Sequence, residues 1–475
     1  MTDSSIQKSN FQQFIERRVL FGQEASLELT AILLVYFVQG ILGLARLAVS
    51  FFLKDDLGLT PAEVAALTGI AAAPWTMKPL LGFMSDGFPI LGYRRRPYLI
   101  LSGLLGTAAW LAMATVVNTA WAAIAAITLS SLSVAVGDVI VDSLVVERAR
   151  RESQSDAGTL QSLAWGSSAL GGIITAYLGG LLLEYMGTRS VFGVTATFPL
   201  VVSVVAWWIA EDPVTETSTW QVIGGQIKQL KGAISQKVIW MPALFLFLWQ
   251  ATPTADSAFF FFTTNDLGFQ PEFLGRVRLV TSIAALLGIW VFQRFLKAVP
   301  FRTIFAWSTV LSTLLGFTML LLVTHTNRAL GIGDEWFSLG DSLILTVMGE
   351  ISFMPVLVLS ARLCPPGVEA TLFALLMSIV NLAGLLSHEF GAVLTHWLGV
   401  TETNFENLWL LVTLTNLSTL LPLPLLFLLP KTSAQGEGTI ASGESLKASQ
   451  AAPLSSEVGV SPPVTIAVGA VEPET

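Results

Sequence analysis

The chain of 475 residues is 53% hydrophobic and 12% charged, with a mean hydropathy of +0.69, which excludes an ordinary soluble globular protein and indicates an all-α polytopic membrane protein. The formal net charge of −8 gives no support to nucleic-acid binding. One cysteine and three histidines, without metal-binding spacing, exclude a disulfide framework and predict neither a metal nor a cofactor.

Twelve apolar runs are long enough to cross a hydrocarbon core of roughly 30 Å, which takes about 20 helical residues. The polar residues 1–28 lack the pattern of a signal or transit peptide and are expected to form a cytoplasmic segment. The predicted N-terminal six-helix bundle is 29–210, with helices at 29–52, 61–83, 97–117, 119–146, 158–184 and 190–210. After a polar linker, 211–238, the C-terminal six-helix bundle is 239–430, with helices at 239–262, 272–293, 301–324, 339–362, 368–396 and 405–429. The Ser-, Gly- and Pro-rich residues 431–475 are predicted to form a disordered cytoplasmic tail.

The placement of basic residues predicts the orientation in the membrane. Of the 25 Lys and Arg residues, 18 fall on one side of the predicted spans and three on the other. Because cytoplasmic loops are enriched in basic residues, we expect both termini in the cytoplasm. The remaining four lie within spans, where a charge is costly: Arg46, Lys78, Arg276 and Arg278.

The first helix carries Gln39 and Arg46 on one face, beside Gly40 and Gly43. An arginine within a span needs an anion or a carboxylate, and neighbouring glycines let a backbone or a ligand approach closely. Both polar residues are therefore candidates for substrate binding or proton coupling.

Lys78 follows Pro74 near the end of the second helix. Proline kinks a helix and frees backbone carbonyls. The ammonium group is predicted to reach a substrate anion or Asp142, to form a structural ion pair, or to snorkel to the cytoplasmic headgroups.

The loop that follows, GFMSDGFPILGYRRR, has the composition of a gate latch that holds the two bundles together on one face. Its acidic residue and its basic cluster would break apart as the bundles rock, although positive-inside anchoring also accounts for the arginines. The candidate gating residues of this loop are Gly82, Asp86, Arg94, Arg95 and Arg96.

The fourth helix ends in GDVIVDSLVVERARR, which places Asp138 and Asp142 on one helical face. Carboxylates inside a membrane segment must face protein or water. We interpret the pair as proton-binding or substrate-coupling groups, with a structural ion pair as the alternative. Glu147 and Arg148, directly after them, are further candidates for gating.

Three matches indicate that the chain consists of two repeats. FFLKDDLGLTP at 51–61 recurs as FFTTNDLGFQP at 261–271, Gly137-Asp138 recurs as Gly349-Glu350, and DAGTL at 156–160 recurs loosely as EATLF at 369–373. An even number of helices in each repeat keeps both in the same orientation. The sequence therefore predicts two parallel six-helix bundles with a site at their interface.

The repeat assigns partners in the second half. Arg46 corresponds to Asp256, which follows Gln250 and Pro253 in the seventh helix, so the two charges are predicted to face each other across a central cavity. The alternative is that each pairs within its own half. Glu350 and Asn381 complete the candidate binding or coupling residues, and Glu369, at the start of the eleventh helix, is a candidate for gating.

Four stretches together resemble the folate–biopterin transporter family, a branch of the major facilitator superfamily, and the cyanobacterial and plastid members in particular. They are GFMSDGFPILGYRRRP, DVIVDSLVVERAR, ATPTADSAFFFFTTNDLGF and LCPPGVEATLFALLMSIVN, and the resemblance covers about residues 25 to 430. It implies import of folates or related pterins, driven by a proton gradient, and favours a bacterial inner-membrane protein. The loop pattern of the superfamily has its Asp three residues before a Gly, whereas Asp86 stands six before Gly92.

These observations predict a monomeric secondary transporter that works by alternating access in the bilayer, with a small-molecule substrate and protons as its partners. A folate would require a cation such as Arg46 for its glutamate and a carboxylate for its aminopyrimidine edge, for which Asp142, Asp256 and Glu350 are candidates. The alternatives are another substrate, as in sugar uptake or proton-coupled drug efflux, or a scaffold acting through the tail. We find no nucleophile or metal constellation that would favour an enzyme.

Overall fold

The computed structural model describes residues 25–151, 157–213, 231–232, 234–364 and 369–431, together with Gly224. Over these residues the chain is helical and forms no β-strand, with one isolated bridge between Ile90 and Tyr93. The predicted N-terminal segment, linker and tail lie for the most part outside the described residues.

The N-terminal half consists of helices that follow the first six predicted runs within a few residues. They are α1 (Leu27–Ile41), α2 (Leu44–Phe51), α3 (Pro61–Ala71), α4 (Ala73–Thr76), α5 (Lys78–Gly87), α6 (Arg96–Thr115), α7 (Ala120–Arg151), α8 (Ala157–Met186), α9 (Thr188–Thr195) and α10 (Thr197–Val205). Helix α3 begins with a capping box, in which the Thr60 hydroxyl accepts the Glu63 N–H and the Glu63 carboxylate accepts the Thr60 N–H.

The C-terminal half repeats this order. Its helices are α11 (Lys237–Gln250), α12 (Asp256–Phe261), α13 (Pro271–Val291), α14 (Phe301–Gly316), α15 (Met319–Val323), α16 (Thr326–Ala329), α17 (Asp334–Arg362), α18 (Glu369–Trp397) and α19 (Leu408–Ser418). Each half has its own hydrophobic core, around Leu99 and Ile140 in the first and around Phe245 and Phe305 in the second.

Ten helical spans in the described part of the chain are long and apolar enough to cross a membrane. The predicted second and seventh helices are interrupted. The second is divided into α3, α4 and α5 around Pro74, and the seventh breaks between Gln250 and Asp256 at Pro253. A proline lacks the N–H that the helical ladder requires, which accounts for both breaks. The twelve predicted helices thus appear as ten spans and two interrupted ones.

The repeated motif has the same backbone conformation in both halves. A single π-helical turn is formed at Phe52–Asp56 and again at Phe262–Asp266. A glycine follows each turn with φ of 63° at Gly58 and 69° at Gly268, a region that favours glycine. We call the end of the molecule that carries these turns the motif end, and the end that carries the loop 82–96 the loop end.

Two helix pairs join the halves. Helix α8 packs so closely on α13 that a methyl group added at Gly180 would lie 2.7 Å from the Cα atom of Gly275. Helix α3 packs on α18, where a methyl group added at Gly69 would lie 2.7 Å from Oε1 of Glu389. Small residues let helices approach in this way within a membrane.

Candidate functional site

Charged side chains from both halves are exposed inside the apolar segments. Arg46 in α2, Asp142 in α7 and Asp256 at the start of α12 all have a large accessible surface. A charge that faces lipid costs about 2.5–3.5 kcal/mol on insertion scales, so such groups face a water-filled space. The space between the halves is therefore the candidate site.

Asp138 of α7 forms an ion pair with Lys78, the first residue of α5. The break before α5 lets the lysine leave the axis of the preceding turn, and its Nζ atom lies 4.7 Å from the centre of the Trp75 ring. Lys78 therefore forms a structural ion pair, one of the alternatives that the sequence left open, and its partner is Asp138 and not Asp142.

Asp142, one helical turn further along α7, accepts a hydrogen bond from the buried hydroxyl of Tyr36 in α1. The same carboxylate is exposed, in contrast to Asp138, which is 8% exposed. The two carboxylates of one helical face thus differ in environment: one is buried beside an ammonium group, and one is open beside a neutral phenol.

The interruption of the second predicted helix also reaches the other half. Nδ2 of Asn381 in α18 donates a hydrogen bond of 3.2 Å to the main-chain carbonyl of Trp75. The carbonyl belongs to the short helix α4, between the two breaks. A residue that neighbours the Asp138 ion pair is therefore bonded directly to the C-terminal half.

A cavity of about 360 Å³ lies inside the C-terminal half, behind the break between α11 and α12. Gln250 and Asp256 line it, as do residues of α14, α17, α18 and α19. Most of the other lining groups are hydroxyl, amide or indole side chains: Trp249, Thr252, Thr254, Thr309, Ser312, Thr313, Ser352, Ser387, Thr415, Asn416 and Thr419. The equivalent cavity in the N-terminal half is only about 20 Å³, and it includes Gln39.

The predicted pairing of Arg46 with Asp256 is not formed. Among the described residues no ion pair within 4.0 Å includes either side chain. Glu350 is half-buried in α17 next to Gly288 of α13 and does not line the large cavity. Buried Nε2 of Gln39 has no hydrogen-bond partner among the described groups.

The loop-end residues predicted for gating form contacts within the N-terminal half. Arg95 pairs with Asp86 at 2.7 Å, and the main-chain N–H groups of Arg94, Arg95 and Arg96 donate to the carboxylate of Glu211 at 2.5–2.9 Å. Gly82 lies near Val139 of α7, 3.7 Å from an added methyl group. The side chains of Glu147, Arg148 and Glu369 lie outside the described part of the structure.

The motif end joins the two halves directly. Nζ of Lys54 donates to Oδ1 of Asn265 at 2.8 Å, and the rings of Phe51 and Phe260 meet edge to face at 5.3 Å. These residues belong to or adjoin the two π-helical turns. Beside them the hydroxyl of Tyr177 in α8 donates to Glu272 in α13 at 2.9 Å.

Sequence reasoning missed three contributors to these contacts: Tyr36, Glu211 and the Lys54–Asn265 pair. The repeated motif was a signal for the last, because repeats related by a two-fold axis bring equivalent segments together. Nothing in the order of residues indicates that Tyr36 meets Asp142, because tyrosine is common in apolar helices.

Comparisons with known proteins find related sequences along most of the chain. A family model described as the BT1 family matches residues 39–448. A folate-biopterin transporter of Synechocystis sp. is 63% identical over 88% of this chain and 85% of its own length. Probable folate-biopterin transporter 2 of Arabidopsis thaliana is 34% identical over 83% of this chain and 80% of its own length. Folate transporter 2 of Plasmodium falciparum is 32% identical, over 84% and 88% respectively.

Solved structures confirm the predicted fold. The nucleoside transporter NupG superposes with a TM-score of 0.65 over 85% of this chain and 99% of its own, at 15% identity. A D-xylose–proton symporter superposes with a TM-score of 0.62 over 86% of this chain and 100% of its own, at 13% identity. At these identities the likeness concerns the fold alone.

Proposed function

Because the chain belongs to the BT1 family, we propose that it imports folates or related pterins by proton symport with alternating access. Its relatives are named as transporters, so it is a multi-pass membrane transporter and not an enzyme, as the motifs predicted. In this proposal both termini face the cytoplasm of a bacterium and each chain works as a monomer.

The observation that carries the proposal is the exposure of Arg46, Asp142 and Asp256 within apolar segments of both halves. These charges supply a cation for an anionic substrate and carboxylates for a proton and for a polar ring. In this proposal they line one space between the two repeats, where transporters of this architecture bind their substrates.

The cavity of the C-terminal half is the proposed site of the pterin ring. Its volume of about 360 Å³ falls at the lower end of the roughly 300–1,000 Å³ typical of small-molecule sites, which suits one end of a longer substrate. Its hydroxyl and amide groups suit a ring with many donors and acceptors. Asp256 is the carboxylate proposed to bind the aminopyrimidine edge, because Glu350 does not line the cavity and Asp142 lies in the other half.

The proton is assigned to Asp142. Asp138 forms an ion pair with Lys78, whereas the exposed Asp142 accepts its hydrogen bond from the hydroxyl of Tyr36. Access to water lets the Asp142 carboxyl exchange a proton with the space between the halves.

The interrupted second helix is the proposed link between proton and substrate. Trp75 contacts Lys78 through its ring and Asn381 through its carbonyl, so a change in the Asp138 ion pair is transmitted to α18. Rocking of one half against the other would open the motif end, where Lys54 and Asn265 now meet. The opposite movement would open the loop end. In the proposal it is controlled by the gating residues predicted from the sequence: Gly82, Asp86, Arg94 to Arg96, Glu147, Arg148 and Glu369.

Uptake of labelled folic acid tests the proposal in cells that lack their own folate import and express the chain. We expect uptake that collapses when a protonophore is added. The matched variant is Asp142→Asn, which we expect to abolish uptake against the gradient while retaining exchange of internal for external folate. Absence of uptake by a correctly inserted protein would overturn the substrate, and uptake that ignores the protonophore would overturn proton coupling.

A further inference from the structure

Trp249 supplies the aromatic ring among the described groups that line the large cavity. It is the next-to-last residue of α11, beside the break at Pro253. The recurrence of 51–61 at 261–271 places Gln39 at the equivalent position of the N-terminal half, where the cavity is only about 20 Å³. The wide aromatic side chain therefore belongs to the half that has space for a ligand.

The indole ring is held in place by two contacts with α14. Its Nε1 atom donates a hydrogen bond of 3.2 Å to Oγ1 of Thr309, which also lines the cavity. The ring of Phe305, one helical turn earlier and fully buried, meets the indole edge to face at 5.5 Å between ring centres. A side chain that is fixed in this way loses little further conformational entropy when a ligand binds. The ring is thus a preorganised part of the cavity wall.

Trp249 lies at the border between the hydrophobic core of its half and the cavity. It is half-buried and packs against the core cluster that includes Phe305. Its neighbours along the cavity wall are polar instead, among them Gln250 and Asp256. Small-molecule sites commonly combine an aromatic surface with a few polar groups that fix the orientation of the ligand. The wall therefore offers one aromatic platform beside hydrogen-bonding groups.

A flat heterocycle with polar edges is the ligand that matches this wall. Aromatic rings prefer offset stacking, which leaves the ring edges free for hydrogen bonds. A pterin is a planar fused ring with donors and acceptors around its edge. The p-aminobenzoylglutamate part of a folate carries two carboxylates instead. Among the described residues that line the cavity, Asp256 is acidic and none is basic, so the cavity suits the pterin and repels the glutamate.

We propose that Trp249 is the platform on which the pterin ring of the substrate stacks, and that the chain selects its substrates by this ring and not by the glutamate. This inference rests on the proposed function and goes further by naming the part of the substrate that is recognised. Folates and unconjugated pterins such as biopterin then share one mode of binding, in which the ring lies on the indole and Asp256 binds its aminopyrimidine edge.

Competition for labelled folic acid uptake tests which part of the substrate is recognised. We expect unlabelled folic acid and biopterin both to compete, because both carry the pterin ring. We expect p-aminobenzoylglutamate to compete at least about tenfold less well than biopterin, because it has no fused ring to stack. This comparison uses the wild-type chain and does not depend on how a variant folds. Competition by p-aminobenzoylglutamate as strong as that by biopterin would overturn the proposal.

Variants of Trp249 test the ring itself. Trp249→Leu removes the aromatic face, and we expect it to raise the folate KM about tenfold and to weaken competition by biopterin by a similar factor. Trp249→Phe keeps a ring and should recover most of this loss. Trp240→Leu changes an exposed tryptophan of the same helix that does not line the cavity, and as the matched control it should leave both values unchanged.

An unchanged KM in Trp249→Leu, or a Trp249→Phe variant as weak as Trp249→Leu, would overturn the stacking platform while folate import stands. If the wild type takes up no folate at all, the proposed function fails, and binding to the purified protein then decides the platform. In that case biopterin should raise the melting temperature of the wild type and of Trp240→Leu but not that of Trp249→Leu. An equal rise in all three proteins, or none in the wild type, would overturn it.

Discussion

In the N-terminal half the carboxylates of α7 are matched by Lys78 and Tyr36, whereas in the C-terminal half Asp256 and Glu350 form no ion pair with any described residue. The cavities differ in the opposite sense, at about 20 Å³ in the first half and about 360 Å³ in the second. Two repeats with one backbone design have thus been given different tasks. The first holds the carboxylates of α7 against Lys78 and Tyr36, and the second provides a space lined by polar groups.

The difference follows from how the first helix of each repeat is built. In the N-terminal half α1 and α2 are separated only by Leu42 and Gly43. Gly103 of α6 packs directly against the main chain of α10, and this close contact between the two helices leaves little space in the interior. In the C-terminal half α11 and α12 are separated by five residues around Pro253, Ala251 to Ala255, and the interior behind this break stays open. A longer break in one helix therefore accounts for the space.

The largest effect is expected where the N-terminal half loses a charge partner. Lys78→Ala leaves Asp138 buried without its ammonium, and breaking a buried ion pair from one side destabilises by about 3–5 kcal/mol. We expect loss of folate uptake together with a lower melting temperature. The measurement is uptake per correctly inserted protein, with thermal unfolding in detergent.

The double variant Lys78→Ala/Asp138→Asn is the control for that prediction. It removes both charges and should recover most of the melting temperature, because no unpaired charge remains. A single variant as stable as the wild type would contradict the view that the first half depends on matched charges.

The C-terminal half should instead be sensitive to volume. Ser312→Phe inserts a ring into the large cavity, and we expect folate uptake to fall at least about tenfold, equivalent to about 1.4 kcal/mol. Leu311→Phe, at the exposed neighbouring position of the same helix, should have little effect. Initial uptake rates over a range of folate concentrations distinguish the two. Equal rates in both variants would remove the cavity from the substrate path.

Asn381→Ala tests the hydrogen bond between Asn381 and Trp75, which joins the two halves. It removes one hydrogen bond to the Trp75 carbonyl, worth about 0.5–1.5 kcal/mol. We expect a fall of about threefold in proton-driven accumulation, with a smaller change in folate binding to the purified protein. Equal losses in accumulation and binding would point to a direct contact with the substrate instead of a link between halves.

The smallest effect concerns a feature that one repeat has and the other lacks. Glu211 accepts three main-chain N–H groups at the start of α6, whereas α14 has no side-chain cap. Glu211→Ala should lower stability by about 1 kcal/mol, the usual value of a lost helix cap, and leave uptake per folded protein unchanged. Thermal unfolding checks the first expectation and uptake the second. A fall in uptake without loss of stability would assign Glu211 to gating.

The sequence was sufficient for features that depend on hydropathy and on recurring residues. Apolar runs and the repeated FF…DLG…P pattern predicted the spans and the parallel repeats, because both are local properties of the chain. The carboxylates of α7 were conspicuous because charge is rare inside a span. The partner of each carboxylate was not predictable, since Lys78 and Tyr36 come from helices that are distant in the sequence and whose rotation is set by packing.

The consequences of the break at Pro253 were also only partly predictable from the sequence. A proline in an apolar run predicts an interruption, but the volume behind it depends on which helices close around the gap. Hydroxyl groups that line it, such as Thr313 and Thr415, also bond to carbonyls of their own helices and look like ordinary helical residues in the sequence.

The sole cysteine of the chain, Cys364, is 4% exposed and donates its thiol to the Ser360 carbonyl at 3.2 Å. A thiol buried in this way reacts slowly with water-soluble reagents. The natural sequence is therefore a ready background for site-directed labelling. Spin labels attached through Lys54→Cys and Asn265→Cys would report the distance across the motif end in each state of the transport cycle, with the native thiol left in place.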